Sequence, residues 1–174
     1  MTTIEPLTPE HFALVAQWLS NPDINQWLTS DWRDRVVDPV VVGVAVRNKR
    51  NKLFIVRCDQ ELCGLVALAD WDAIDHTAVV WYVLGLAALG GRGVITDAVR
   101  QLIRLAFQEL GIEALHAWIV EDNERSRRVL EKTGFRESGR FRRAALHKDR
   151  RLDRVYFDLT ACDQPWKPSP FETH

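Results

Sequence analysis

The stretch Glu121-Asp-Asn-Glu-Arg-Ser-Arg-Arg-Val-Leu-Glu-Lys-Thr-Gly-Phe135 decides how the chain is read. It follows a run with strand character, His116-Ala-Trp-Ile-Val120. Asn123 is a natural N-cap, because its side-chain oxygen can accept from the backbone N–H groups that a helix start leaves unpaired. Val129 and Leu130 supply an apolar face, Lys132 falls in the last turn, and Gly134 offers the left-handed conformation that closes a helix. A short helix therefore opens where a strand ends. Upstream, Gly90-Gly91-Arg92-Gly93 precedes a longer helix, expected over residues 96–110 from the period of Val99, Leu102, Ile103, Ala106 and Leu110. Two helix starts after two strands present two sets of free N–H groups, which suits a phosphate-bearing ligand.

Outward from these helices, residues 3–7 read as an opening strand. Thr8-Pro-Glu-His starts a helix that carries Phe12, Leu14, Val15, Trp18 and Leu19. Asn21-Pro-Asp breaks it, and Ile24, Trp27 and Leu28 suggest another turn or two. Asp38-Pro39 opens a segment to Arg47 that reads as helix, with its β-branched content leaving strand open. Residues 53–58 and 62–69 form a hairpin around Asp59-Gln-Glu61. Residues 71–76 are a polar loop and 77–84 a further strand. A strand pair, 141–146 and 155–159, closes the order around the charged linker His147-Lys-Asp-Arg-Arg151. Residues 1–160 read as one domain, and 161–174, with three prolines, as an extended tail.

At 174 residues, 47% of them hydrophobic, the chain is long enough to bury one substantial core. A formal charge of -1 speaks against broad binding to nucleic acid, while allowing a local patch. Cys58, Cys63 and Cys162 are odd in number and lack ligand-like spacing with histidine. They read as reduced thiols of a cytoplasmic protein, with no metal expected. No signal peptide and no membrane-spanning run is suggested.

Asn123-x-x-Ser126-x-x-Val129-Leu130-Glu131-Lys132-x-Gly134-Phe135, preceded by Gly91-Arg92-Gly93 and a helix, resembles the GNAT superfamily of N-acetyltransferases. The likeness is greatest to its ribosomal-protein N-acetyltransferase branch. The resemblance implies an α+β fold: a mixed, mostly antiparallel sheet with helices on both faces and a splayed central strand pair. It also implies acetyl-CoA as cosubstrate and an amine-bearing acceptor, a small molecule or a protein N-terminus, served by a monomer or homodimer. The family's phosphate loop falls on Gly90 to Ile95, and Gly91, Arg92, Gly93, Val94 and Ile95, with Thr96 at the helix start, are the expected cofactor contacts. Gly90 stands where a long polar residue is usual, and Ile95 where a small one is.

By the same resemblance, Asn123 touches the pantetheine or phosphate arm, a backbone N–H near Val83 or Leu84 polarises the thioester carbonyl, and Arg128 is the preferred phosphate partner among three arginines. The tyrosine that often protonates the leaving thiolate is replaced by Leu130, and Ser126 remains near the expected sulfur. A glutamate often found on the fourth strand is missing, so Glu121 is the first candidate base, followed by Asp70, Asp72 and His76. Trp27, Asp31, Trp32 and Asp72 are the expected acceptor wall, aromatic faces with carboxylates suited to a cationic amine. The stretch from His11 to Trp27 is also similar to openings of aminoglycoside 6′-N-acetyltransferases. The rival expectation is an acyl-CoA-binding sensor or interaction module without catalysis.

Overall fold

A computed structural model describes residues 1–165. Seven strands form one sheet: β1 (Thr2–Pro6), β2 (Lys52–Cys58), β3 (Glu61–Asp72), β4 (Thr77–Leu84), β5 (Ala114–Val120), β6 (Arg136–His147) and β7 (Arg150–Thr160). Their spatial order is β1-β2-β3-β4-β5-β7-β6. Every neighbouring pair is antiparallel except β4 and β5. The helices are α1 (Phe12–Ser20), α2 (Pro22–Asn25), α3 (Pro39–Arg47), α4 (Val94–Gln108) and α5 (Glu124–Lys132).

Alternation along the strands sends apolar side chains to both faces. On one face Ala78, Val80, Ala117, Ile119, Val155 and Phe157 meet the stripe of α4 and Leu130 of α5. On the other, Leu53, Ile55, Leu65, Ala67 and Val83 are covered by α1 and Val42 of α3. The segment from Asp38 is helical because Asp38 caps it, accepting from the Val40 N–H, with Pro39 at the first position. α5 ends on Gly134 at φ 93°, with the Phe135 N–H on the Leu130 carbonyl and the Gly134 N–H on that of Glu131. This paired arrangement needs a left-handed residue after the cap.

Three expectations change. β3 runs on to Asp72, which pairs with Thr77, so Trp71 and Asp72 belong to the strand and only residues 73–76 to the loop. β6 and β7 are far longer than 141–146 and 155–159, and turn at Lys148 and Asp149, both at positive φ. β6 is exposed along most of its length, so no hydrophobic alternation marks it. Within the expected tail, Ala161–Asp163 is a 3-10 turn. Residues 166–174 of that tail lie outside the described residues.

Candidate active site

The parallel pair β4–β5 stays in register for three positions, Thr77↔Ala114, Ala78↔Leu115 and Val79↔His116, and then parts. Beyond that point the two strands diverge while β4 stays on β3 and β5 on β7. The Gly85 N–H points to Cys63 of β3, and that of Glu121 to Asp153 of β7. Because backbone groups alternate along a strand, the edges of Val80, Tyr82 and Leu84 on one wall and Trp118 and Val120 on the other face the gap. Val83, one step out of phase, has its carbonyl against β3: a Cβ on Gly64 would lie 2.6 Å from it. Of the two amides expected to polarise a carbonyl, the one aimed at the gap is therefore Leu84's.

Both helix starts open on this end of the sheet. Gly91 and Gly93 hold φ 79° and 82°, and Gly93 caps α4. Among the described residues, the N–H groups of Gly91, Gly93, Val94, Ile95 and Thr96 have no hydrogen-bond acceptor outside the helix, and none lies far enough into α4 for one within it. Left-handed glycines on either side of Arg92 let such groups converge into a concave anion cradle at the positive end of the helix. Ile95 does not obstruct it. Its side chain is buried in the core, with Cδ1 beside Gly64.

At the second start, Asn123 accepts from the Ser126 N–H at 3.2 Å, which leaves its amide NH2 free. Arg127 is held by Glu137 at 3.1 Å and lies over the Phe157 ring, whereas exposed Arg128 makes no ion pair among the described residues. Leu130, where a tyrosine would stand, is wholly buried.

A tyrosine nevertheless reaches the site from the facing strand. The Tyr82 hydroxyl lies 2.8 Å from Ser126 Oγ and 3.1 Å from the Ser126 carbonyl oxygen, bridging β4 to the first turn of α5. Burial pushes the Tyr82 pKa well above the ordinary tyrosine range, against a smaller pull downward from the Ser126 bond. Sequence reasoning passed this residue over. The available signal was that Tyr82 shares its face with Ala78, Val80 and Leu84, where a phenol needs a polar partner.

Glu121 ends β5. Its Oε1 accepts from the Asp153 N–H at 2.9 Å, and its Oε2 lies 3.7 Å from Arg140. Asp70 and Asp72 are not brought to the gap. Asp72 pairs with Thr77 whereas Gly64 pairs with Leu84, which puts the two aspartates roughly 20 Å away along the strands. Asp70 lies instead toward His116, at the closed end of the β4–β5 pair, where burial pulls the imidazole pKa down and the Asp70 charge opposes that shift. His76 is in the turn at that same end. Antiparallel pairing of β3 with β4 puts these groups at the end of the sheet opposite the cleft.

The opposite sheet face supplies an aromatic wall. Trp32 stacks with Trp81 of β4 at 6.3 Å, and Trp27 on His147 at 4.5 Å. Trp27 also packs with Val120 at the end of β5, where Arg154 covers Trp118. Asp31 is exposed on the same loop, its carbonyl bound by Arg35. Trp18 is core, flat against the Gly85 backbone.

Cys63 is fully buried, and desolvation pushes its thiol up to about 11. Native protein should therefore leave Cys63 unmodified by an aromatic disulfide reagent at pH 8 while exposed Cys162 reacts at once. Modification of Cys63 in the folded protein would overturn its assignment to the core. Among the described residues, no helix is long and apolar enough to cross a membrane, and no cluster of three metal-ligating side chains forms.

Comparison with known proteins adds a second line. Residues 2–136 match the family described as acetyltransferase (GNAT) domain. YdaF of Bacillus subtilis, provisionally named a ribosomal N-acetyltransferase, is 35% identical over 101 residues. That match takes in 58% of this chain and 55% of YdaF, so the chain spans about half of that relative's length. The spermidine N-acetyltransferase of Vibrio cholerae, solved with CoA and spermine, superposes with a TM-score of 0.82 at 15% identity, over 93% of this chain and 96% of its own. RimL, a ribosomal L7/L12 alpha-N-protein acetyltransferase solved with coenzyme A, gives 0.81 at 17% identity over 94% and 96%. At such identities the two structures speak for the fold alone.

Proposed function

The chain belongs to the GNAT acetyltransferase family, and from that membership we propose that it is an acetyl-CoA-dependent N-acetyltransferase acting by direct transfer to a primary amine. The observation that carries this reading is the gap between β4 and β5, with unpaired backbone edges on both walls and two helix starts at its mouth. A pantetheine arm is an extended chain with two amides, so it can pair with such edges as a strand would. The cradle at Gly91–Thr96 suits the pyrophosphate, with Arg92 and Arg128 as exposed cations and the free amide of Asn123 beside the arm.

The thioester supplies the acetyl group, and the chain's own residues supply orientation and charge. The Leu84 N–H polarises the carbonyl, whose developing negative charge is where such a dipole counts most. The amine attacks, the C–N bond forms and the C–S bond breaks. Ser126, backed by Tyr82, donates to the departing sulfur. Glu121 takes the amine proton through water, because Oε2, touched only by Arg140 among the described residues, keeps lone pairs for that relay. Trp27, Asp31 and Trp32 frame the acceptor from the other face, while Asp70 and Asp72 have no part.

Leu130 favours a second reading, a CoA-binding module without turnover. Calorimetry with acetyl-CoA, combined with thiol release over a panel of peptide N-termini, polyamines and amino sugars, separates the two. Binding with thiol release on any amine supports the enzyme. Binding without release supports the module, and neither overturns both.

A further inference from the structure

The whole chain is near neutral, yet residues 136–154 carry eight arginines and lysines against three carboxylates. This segment is the β6–β7 hairpin, and it flanks the mouth of the gap. Arg154 pairs with Val120, the last residue of β5, and with Phe141 of β6. The far end of the hairpin is held to the loop after α2, where the Arg33 side chain donates to the Leu146 carbonyl at 2.9 Å and Trp27 stacks on His147.

Between Phe141 and Ala145 the register breaks, so Arg142, Arg143 and Ala144 oppose the single residue Asp153. Arg143 is at φ 56°, and Asp153 pins the bulge by accepting from the Arg143 N–H at 2.9 Å. Bulges of this kind re-aim side chains beside functional sites. The result is an open hollow of about 630 Å³ lined by Arg140, Phe141, Arg142, Arg143 and Asp153. Phe141 is 63% exposed. Arg142, Arg143, Lys148 and Arg151 are exposed and make no ion pair among the described residues. β6 is also an edge strand, with no partner on its outer side among the described residues.

We propose that this bulged basic edge is the docking surface for an acidic polypeptide segment, whose amino terminus it delivers to the gap; the delivery step rests on the acetyltransferase reading. The hollow has the volume of a few residues and combines an aromatic anchor with unpaired guanidinium groups, which pair carboxylates in fixed geometry. The free strand edge offers main-chain hydrogen bonds to an extended chain. A polyamine is the wrong occupant, because its ammonium groups would meet four uncompensated cations. A second copy paired edge to edge would set Arg142 and Arg143 close to their own duplicates, at a repulsive cost. A nucleic acid would approach a chain whose remaining surface is acidic.

Fluorescence anisotropy measures binding of octapeptides that share their first two residues and continue as acidic, neutral or basic sequence. Thiol release measures their acetylation. The acidic peptide should bind, and react in kcat/KM, about tenfold better than the neutral one, the effect of a few exposed charge pairs acting together. The preference should shrink as salt rises from about 0.05 to 0.5 M, where screening shortens the reach of surface charge. R142Q/R143Q/R151Q should erase it while turnover of a small neutral-bodied amine and the melting temperature hold; R142Q/R151Q, which leaves the bulge intact, should reduce it if the triple variant misfolds. Equal binding of acidic and neutral peptides overturns the proposal, as does stronger competition by a single-stranded oligonucleotide, or self-association of the chain that the substitutions abolish. Failure of the acetyltransferase reading looks different: no thiol is released with any amine, while the anisotropy preference still stands or falls by itself.

Discussion

Gly93→Val should weaken acetyl-CoA binding by about 100-fold, measured by calorimetry, with little loss of stability. Gly93 sits at φ 82°, and a Cβ added there meets nothing within 4 Å among the described residues. The cost is therefore backbone strain and not a clash. A left-handed conformation costs an ordinary L-residue roughly 1–2 kcal/mol and a β-branched one more. Escape from that strain rotates the peptide planes on either side, turning the Gly93 and Val94 N–H groups away from the cradle. A hydrogen bond to a charged group contributes about 1.5–3 kcal/mol, so losing one or two gives the 100-fold figure. α4 itself stays docked, because Val99, Leu102 and Ile103 are buried in the core irrespective of the cap. Gly139→Ala is the control: no left-handed φ is needed there and no atom of the described residues lies within 4 Å, so binding should not change. Unchanged affinity in Gly93→Val would remove the cradle from the site.

The helix starts were legible in sequence because each is a local event. Asn123, Gly134, Asp38-Pro39 and the period of α4 act over four or five residues, and the structure shows each cap doing what its residue type predicts. What failed depends on partners distant in sequence. Asp70 and Asp72 looked like strand-end carboxylates near a cleft, but which end of β3 faces the gap is set by pairing with β4, and the register puts them at the closed end. The part of β6 that precedes 141–146 was hidden because its residues face solvent and show no period-two pattern. Tyr82 was visible as a residue but not as a partner. Its relation to Ser126 spans 44 positions and exists only because β4 and β5 part after Val79 and let α5 come close.

Tyr82→Phe should lower kcat by about 10- to 100-fold while acetyl-CoA affinity stays within about threefold. The substitution removes one oxygen from a position whose ring still fills the same space between β4 and α5. A phenol has one proton to give. The 2.8 Å contact can run in either direction, and the Ser126 carbonyl at 3.1 Å can only accept; when the phenol donates to Ser126 Oγ, the serine's own proton is left to face the leaving sulfur, and general-acid or hydrogen-bond assistance of this kind contributes factors of this order. Ser126→Ala should cost about as much, and the double variant little more, because the two hydroxyls act as one unit. The pH dependence carries its own sign. The folded-state pKa of Tyr82 lies above the ordinary value of about 10, so the protonated phenol is present at all lower pH, and its share of stability is lost only as pH rises through the folded value. The wild-type kcat should therefore show no fall due to Tyr82 up to about pH 9.5, and Tyr82→Phe should lower the profile evenly over that range without changing its shape. A Tyr82→Phe enzyme with full kcat, or one that loses only affinity, would reduce Tyr82 to a side chain that closes the empty gap, and Ser126 would stand as the lone hydroxyl at the sulfur.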